Sequence, residues 1–145
     1  MFKMILVPTD GSALSNKAID AAVEFAKFAG SKIIGLSVAE PYPYSPLSEG
    51  AMTIDANLYQ EQMIQMAKLH VQKIADAAKM AGVSCETIVA QSFSPCDEII
   101  HVAIDKKCDV IFMASHGRKG LNKLFVGSET QKVLGHSQLP VLVFR

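Results

Sequence analysis

Hydrophobic residues in this chain form short continuous runs, separated by longer segments whose apolar positions follow helical spacing. The continuous runs predict five strands, at Phe2–Val7, Lys32–Val38, Val83–Ala90, Asp109–Ser115 and Leu139–Phe144. Nearly all of these runs are apolar throughout, which is typical of strands buried on both faces of a parallel sheet. The third run alternates more between apolar and polar residues, so we expect it at an edge of the sheet.

The intervening segments predict four helices: Ala13–Ala29, about Ile54–Ala81, one that starts at Ser94-Pro95, and Ser128–His136. Gly30 and Gly82 supply the C-terminal breaks of the first two. Ser94 and Asp97 have the spacing of a capping box at the start of the third. The proline-rich stretch Ala39–Thr53 predicts a long connection, of a kind that is often functional or mobile.

This alternation of strands and helices predicts a single α/β domain over residues 1–145. Right-handed crossovers favour a doubly wound, five-stranded parallel sheet in the order 3-2-1-4-5, with helices on both faces.

Charge and cysteine content narrow the class of protein. Lys plus Arg and Asp plus Glu each number 14, so overall charge favours neither nucleic acid nor an anionic membrane, and neither is expected as a partner. The three cysteines include no C-x-x-C pair, which argues against a disulfide framework or a zinc site. Neither a signal peptide nor an apolar run of about 18 residues is recognisable, so a cytoplasmic protein is expected.

Topology indicates where a ligand should bind. Doubly wound sheets bind ligands beyond the carboxyl ends of the strands where the winding reverses, here between the first and fourth strands. The loops that leave those two ends are Pro8-Thr9-Asp10-Gly11-Ser12 and Met113–Gly120. Both are polar and contain glycine, so topology and composition indicate the same place.

The second of these loops has the features of a phosphate site. We expect Gly117 and Gly127 to adopt backbone angles closed to other residues and to let a ligand approach closely. Ser128 offers a hydroxyl, and Ser128–Thr130 expose the first N–H groups of the last helix. Positive charge nearby comes from Arg118, Lys119 and Lys123.

Structural interpretations of the same residues stay open at this point. Ser128 and Gln131 also have the spacing of a capping box, which needs no ligand. Glu129 would repel a phosphate placed close to its carboxylate. Asp10 has two interpretations, because its carboxylate can bind a sugar hydroxyl or base amine, or cap its own turn.

Other candidate residues carry less information. His116 lies in the predicted site without an acid to pair with it, and no catalytic carboxylate pair is recognisable. Tyr42 and Tyr44 have two interpretations, as a cover for a bound base or as part of a solvated loop. The remaining histidines are interpreted as boundary or surface residues: His70, His101 and His136. The chain contains neither a G-x-x-x-x-G-K-[ST] motif nor a G-x-G-x-x-G motif after the first strand.

Four segments resemble the universal stress protein family, whose members have a Rossmann-like fold and include adenine-nucleotide-binding proteins. These are I-L-V-P-T-D-G-S (Ile5–Ser12), M-A-S-H-G (Met113–Gly117), Gly127-Ser128 and L-P-V-L-V-F (Leu139–Phe144). The nucleotide-binding members carry G-x-x-G, nine residues, then G-[ST]. Here Gly117, the nine-residue spacing and Gly127-Ser128 match, but Ala114 replaces the first glycine.

The resemblance implies a role for each matching residue. Asp10 and the backbone near Pro8, Thr9 and Val38 would hold adenine and ribose. The ribose side would be lined by Met113 and Ala114. The phosphate side would comprise Gly117, Gly127, Ser128, the backbone of Glu129, and Thr130. His116 and Arg118 are added to the candidate site because they lie in the same loop. Any Mg²⁺ would be held through the phosphates, and a homodimer would form through Leu139–Phe144.

The resulting hypothesis is a non-enzymatic, ATP- or AMP-binding regulatory protein of the stress response, acting as a cytoplasmic homodimer. One alternative is a family member that binds no nucleotide and acts through protein contacts, which Ala114 favours. A slow ATPase is a second alternative. A phospho-acceptor signalling domain is disfavoured, because the chain lacks an acid cluster after the first strand and a lysine after the fifth.

Overall fold

The computed structural model describes residues 1–43, 55–117 and 126–145. Its elements in chain order are β1 (Met4–Pro8), α1 (Ala13–Ala29), β2 (Lys32–Ala39), α2 (Ala56–Ala81), β3 (Cys85–Gln91), α3 (Pro95–Asp105), β4 (Val110–Ala114), α4 (Ser128–His136) and β5 (Val141–Phe144). All pairings are parallel, in the order β3-β2-β1-β4-β5. The predicted fold class and strand order are confirmed, as is the edge position of β3.

Each face of the sheet is covered by two helices, which gives the core two separate layers. On one face, Ile5 and Val7 of β1 cluster with residues of α1 and α2. On the other face, Leu6 clusters with residues of α3 and α4. Successive side chains of a strand point to opposite faces, so a strand that is apolar throughout feeds both layers.

Three strands begin two residues later than predicted, each for a local reason, and β4 begins one residue later, at Val110. β1 starts at Met4 because the N–H groups of Lys3 and Met4 donate to the Asp109 carboxylate, at 2.6 and 2.8 Å. β3 covers Cys85–Gln91 instead of Val83–Ala90, since the Val83 N–H still donates to the Ala78 carbonyl of α2 at 2.8 Å. β5 starts at Val141 instead of Leu139, because Pro140 has no N–H to donate.

The capping box predicted at the start of α3 is wrong. Ser94 is the N-cap residue, but its side chain makes no capping hydrogen bond. The Cys96 N–H instead donates to Glu129 Oε2 of α4 at 3.0 Å. A carboxylate is a stronger acceptor than a hydroxyl, and a distant residue supplies it here.

The predicted start of α2 at Ile54 and most of the long connection lie outside the described residues. Among the described helices, none has the length and apolarity needed to span a membrane.

Candidate functional site

The exit loops of β1 and β4 meet at the carboxyl edge of the sheet. The two strands are neighbours, with Ile5 paired to Val110 and Leu6 to Ile111. Beyond them, a Cβ added to Gly117 would lie 2.6 Å from Asp10 Oδ2, so the two loops are in direct contact. The predicted meeting of Pro8–Ser12 with the loop after β4, at the place where the winding reverses, is therefore observed.

Side-chain hydrogen bonds shape the β1–α1 loop. Asp10 Oδ1 accepts the Ser12 N–H at 3.0 Å, which is the turn-capping role that the sequence left open. Thr9 Oγ1 accepts the Gly11 N–H at 3.1 Å and lies 3.0 Å from Ser15 Oγ. Gly11 has a φ of 78°, which a residue with a side chain adopts at a cost. The loop is thus fixed from within, while Asp10 Oδ2 faces Gly117.

The two glycines Gly117 and Gly127, which lie between β4 and α4, allow neighbouring groups to pack closely. The prediction of unusual backbone angles is wrong for both: Gly117 is not among the glycines with positive φ, and Gly127 has φ −60° and ψ 153°. A Cβ on Gly127 would lie 3.1 Å from the Ser115 carbonyl oxygen and 3.3 Å from His116 Cα. The Gly127 N–H donates to that same oxygen at 2.7 Å, so the backbone at the start of α4 packs directly on the end of β4.

The N-terminus of α4 receives no side-chain cap. Its N-cap residue is Gly127, which has no side chain, and no side chain among the described residues accepts from the first N–H groups of the helix. The predicted capping box is therefore wrong, since the Gln131 amide donates to the Val126 carbonyl at 2.7 Å. The Thr130 hydroxyl donates to the Ala114 carbonyl at 2.9 Å, which leaves Thr130 its backbone N–H for any ligand. An uncapped helix start of this kind favours an anion.

The Glu129 carboxylate is engaged away from the start of its own helix. Oε2 accepts the Cys96 N–H of α3 at 3.0 Å, and Oε1 accepts from Lys132 Nζ at 2.8 Å. The hydrogen bond from Lys132 to Glu129 raises the pKa of the lysine. The repulsion that Glu129 would exert on a phosphate is reduced accordingly, because its charge is shared between the N-terminus of α3 and an ammonium group.

His116 has one buried nitrogen without a partner. Its Nδ1 lies 2.8 Å from Ser115 Oγ, and Ser115 is itself buried. Its Nε2 is buried and makes no hydrogen bond with any residue that the structure describes. An unsatisfied buried polar group costs about 1–3 kcal/mol, so a ligand that pairs with Nε2 would gain from doing so.

His70 is the residue that the sequence interpretation missed. Its imidazole packs on Gly11, where a Cβ would overlap the ring, and its Nδ1 lies 3.5 Å from Ser37 Oγ. The side chain therefore lies between the β1–α1 loop and Ser37, the residue before Val38 in β2. It is half-buried, as expected of a boundary residue, but its place beside the candidate site was not predicted. Helical spacing contained the signal, because His70 falls between Ala67 and Ile74 on the buried stripe of α2.

The structure brings together most of the residues that the sequence singled out. Pro8–Asp10, Met113–Gly117 and Gly127–Thr130 converge, and Val38 lies near the end of the neighbouring β2. Ala114 is the last residue of β4 and pairs with Phe144, so its backbone is extended and accepts alanine without strain.

Some sequence predictions cannot be placed. Arg118, Lys119, Lys123 and Tyr44 lie outside the described residues. Tyr42 packs edge-on against Tyr59 of α2, with ring centroids 5.4 Å apart. Within the part of the chain that is described, no group of three or more His, Cys, Asp or Glu side chains is placed to hold a metal ion.

Comparison with known proteins assigns the chain to a family. The family model described as the universal stress protein family matches residues 1–145. This chain belongs to the universal stress protein family. A similar relative is the universal stress protein YxiE of Bacillus subtilis, which is 33% identical over 149 residues and is aligned over all of both chains.

Solved structures agree with this membership. That of MJ0577 of Methanocaldococcus jannaschii has a TM-score of 0.82 and 28% identity, and the alignment covers 99% of this chain and 96% of that one. Two family members are described as complexes, one with cAMP (24% identity, TM-score 0.65, 98% and 95% covered) and one from Archaeoglobus fulgidus with dAMP (14%, 0.64, 100% and 98%). At these identities the two complexes establish the shared fold.

Proposed function

We propose that this universal stress protein binds an adenine nucleotide, ATP or AMP, in the crevice between the exits of β1 and β4, and acts as a non-enzymatic regulator of the stress response. The observation that carries the proposal is the uncapped start of α4. With Gly127 as N-cap and no acceptor among the described side chains, the first N–H groups of this helix are available to a phosphate. The complexes of family members with cAMP and dAMP support the adenine nucleotide as ligand class.

In this proposal the residues divide into a nucleoside side and a phosphate side. Asp10 and the backbone of Pro8, Thr9 and Val38 hold adenine and ribose, and Met113 and Ala114 line the ribose. The phosphate side consists of His116, Gly117, Arg118, Gly127, Ser128, and the backbone of Glu129 and Thr130. Any Mg²⁺ is held through the phosphates.

His116 gives the proposal a side-chain contact. Ser115 Oγ lies 2.8 Å from Nδ1, and in this proposal the hydroxyl donates to Nδ1, which leaves Nε2 as the N–H donor of the ring. Nε2 then donates to a phosphate oxygen, which satisfies the buried nitrogen that has no partner among the described residues. Ser115 is thus a positioning residue for His116.

The proposal includes a cytoplasmic homodimer formed through β5. Among the described residues β5 pairs with β4 alone, so its other edge presents unpaired backbone groups. All four of its residues are apolar, and Leu142 is 37% exposed. An apolar edge strand of this kind favours pairing with a second strand across a two-fold axis.

A second candidate function is favoured by Ala114. The chain lacks the first glycine of the family's G-x-x-G pattern, which supports a member that acts through protein contacts without a nucleotide. A slow ATPase is a further alternative. It is tested by measuring the release of inorganic phosphate from ATP.

Thermal unfolding with and without ATP or AMP separates the candidates, each nucleotide being added alone and with Mg²⁺. A ligand at one hundred times its Kd stabilises a protein by about 2.7 kcal/mol, which raises the Tm measurably. We expect ATP or AMP to raise the Tm, with GTP as the control for the base. An unchanged Tm with both adenine nucleotides at millimolar concentration contradicts the proposal and favours the protein-contact candidate.

A further inference from the structure

The amino edge of the sheet, opposite the candidate site, carries a repeated sequence feature. Helices α1 and α2 both end in lysine, a large apolar residue, alanine and glycine: Lys27–Gly30 is K-F-A-G, and Lys79–Gly82 is K-M-A-G. Both glycines are left-handed C-caps, with φ of 66° for Gly30 and 71° for Gly82. The two helices therefore end with the same backbone geometry and display the same side-chain pattern.

Strand register places the two ends side by side. Ile33 of β2 is paired with Cys85 of β3. Phe28 lies five residues before Ile33, and Met80 lies five residues before Cys85. The helices cover the same face of the sheet and contribute to one apolar cluster. Phe28 and Met80 consequently lie at the same edge, one on each of the two helices that cover this face.

Both apolar side chains are turned away from the core. Each follows by two positions a buried alanine, Ala26 or Ala78, which places it on the opposite side of its helix. Phe28 is 92% exposed and Met80 is 90% exposed. Neither side chain therefore contributes appreciable burial to the fold.

Exposed lysines lie at the same edge, Lys27 and Lys79 on the helices of this face and Lys32 on the opposite side of β2 from Ile33. Lys27 and Lys79 precede Phe28 and Met80 in the last helical turns. Lys3 and Lys32 lie at the starts of β1 and β2, where the Lys32 N–H donates to the Lys3 carbonyl at 2.9 Å. Cations near a helix C-terminus also stabilise the helix dipole, which accounts for Lys27 and Lys79 but not for the exposed Phe28 and Met80.

Acidic residues near this edge are set back or engaged. Glu24 and Asp76 lie one helical turn before Phe28 and Met80, about 5 Å further from the edge. The Asp109 carboxylate accepts the N–H groups of Lys3 and Met4. Glu86 of β3 pairs with Lys106 at 2.6 Å, and Asp105 ends α3 on the other face of the sheet. On the side of α1 and α2 the outermost layer at this edge is therefore positive and apolar, although the whole chain has no net charge.

We propose that this amino-edge patch, defined as Lys3, Lys27, Phe28, Lys32, Lys79 and Met80, docks reversibly on an anionic lipid bilayer. Phe28 and Met80 enter the headgroup region, and the four ammonium groups lie against lipid phosphates and carboxylates. The sequence predicted no membrane partner from overall charge, whereas the proposal rests on local arrangement.

Charge and area favour a bilayer over a protein partner. Two large side chains bury about 300–500 Å² at most, well below the roughly 800 Å² per partner of a stable protein interface. A second copy pairing through the same patch would bring lysines against lysines. A bilayer needs few apolar anchors when cationic groups supplement them.

Vesicle flotation of the full chain tests the proposal, with phosphatidylcholine vesicles compared with vesicles that also contain phosphatidylserine. We expect binding only with phosphatidylserine, and weaker binding at high salt. Each lysine near an anionic surface contributes about fivefold in affinity, so Lys27→Gln/Lys79→Gln should weaken binding about 25-fold. Phe28→Ser/Met80→Ser should weaken it by about tenfold.

A matched control uses two leucines that are exposed elsewhere on α2, one near its start and one near its middle. Leu58 and Leu69 are 52% and 66% exposed, and Leu58→Ser/Leu69→Ser should leave vesicle binding unchanged. Far-UV circular dichroism verifies that each variant is folded. No binding to phosphatidylserine vesicles, equal binding to neutral vesicles, or patch variants that bind like the parent protein each overturn the proposal. Capture by immobilised polyglutamate without vesicle binding also overturns it, in favour of an acidic protein partner.

Discussion

The Glu129 carboxylate is the N-terminal cap of a helix other than its own, and its removal should destabilise the fold. Oε2 accepts the N–H of Cys96, a residue that is 2% exposed, across 33 positions of sequence. Glu129→Ala leaves this buried N–H without an acceptor, because Ser94 supplies no side-chain cap to α3. Glu129→Gln keeps an oxygen at the same position but removes its charge.

Two contributions set the magnitude for Glu129→Ala. A hydrogen bond to a charged group contributes about 1.5–3 kcal/mol, and loss of a cap costs about 0.5–2 kcal/mol, so we expect a loss of about 2 kcal/mol. The ion pair with Lys132 adds little, since both side chains are partly exposed and such pairs contribute about 0–1 kcal/mol. Glu129→Gln should lose about 1 kcal/mol, because a neutral hydrogen bond is roughly half as strong.

Urea unfolding followed by circular dichroism measures these differences. Lys132→Met is the control for the ion pair, and Glu98→Ala is the control for a first-turn acid of α3 that pairs with His101 at 4.0 Å. Both should cost less than about 1 kcal/mol. The capping argument is wrong if the free energy of unfolding of Glu129→Ala lies within about 0.5 kcal/mol of that of the parent protein. It is also wrong if Lys132→Met lowers the free energy of unfolding as much as Glu129→Ala does.

Three further predictions follow from single contacts. Gly117→Ala places a methyl group 2.6 Å from Asp10 Oδ2 and should abolish the rise in Tm on adding nucleotide, whereas Gly135→Ala in open space should raise apo stability by about 0.5–1 kcal/mol. Leu142→Lys on the β5 edge should shift the oligomer toward monomer in sedimentation velocity. Burial, followed by the charges of Asp109 and Glu86, raises the pKa of the Cys108 thiol from 9.0 to about 11. The protonated Cys108 thiol stabilises the folded state fully below pH 9, and this stabilisation is lost as the pH rises towards 11. The free energy of unfolding in urea should therefore decline less between pH 9 and 11 for Cys108→Ala than for the parent protein.

The sequence predicted what depends on short-range pattern. Continuous apolar runs identified the five strands of the sheet, and alternation placed β3 at an edge. Both predictions work because the apolar pattern of a strand depends on whether one or both of its faces are buried. Right-handed crossovers then fixed the strand order. The crevice followed, since parallel strands bring their carboxyl ends to one edge.

Contacts between residues that are distant in sequence could not be predicted from the apolar pattern. The capping spacing at Ser94 and at Ser128 predicted a local cap for each helix, and both predictions were wrong. In α3 a carboxylate from α4 takes the role, and in α4 the Gln131 side chain donates to the Val126 carbonyl. A local motif shows which hydrogen bonds are possible, whereas tertiary packing determines which acceptor binds the N–H group.

The family's glycine pattern illustrates the same division at the site itself. Gly117 and Gly127 are explained by neighbours, Asp10 Oδ2 in one case and the backbone of Ser115 and His116 in the other. Ala114 differs, because it closes an extended strand and uses its carbonyl to accept the Thr130 hydroxyl. Backbone conformation does not require glycine there, so the change from glycine adds one methyl group and leaves the fold of the loop intact. In the proposed complex, alanine at position 114 therefore affects the space beside the ribose, while the start of α4, uncapped among the described residues, stays available for phosphate.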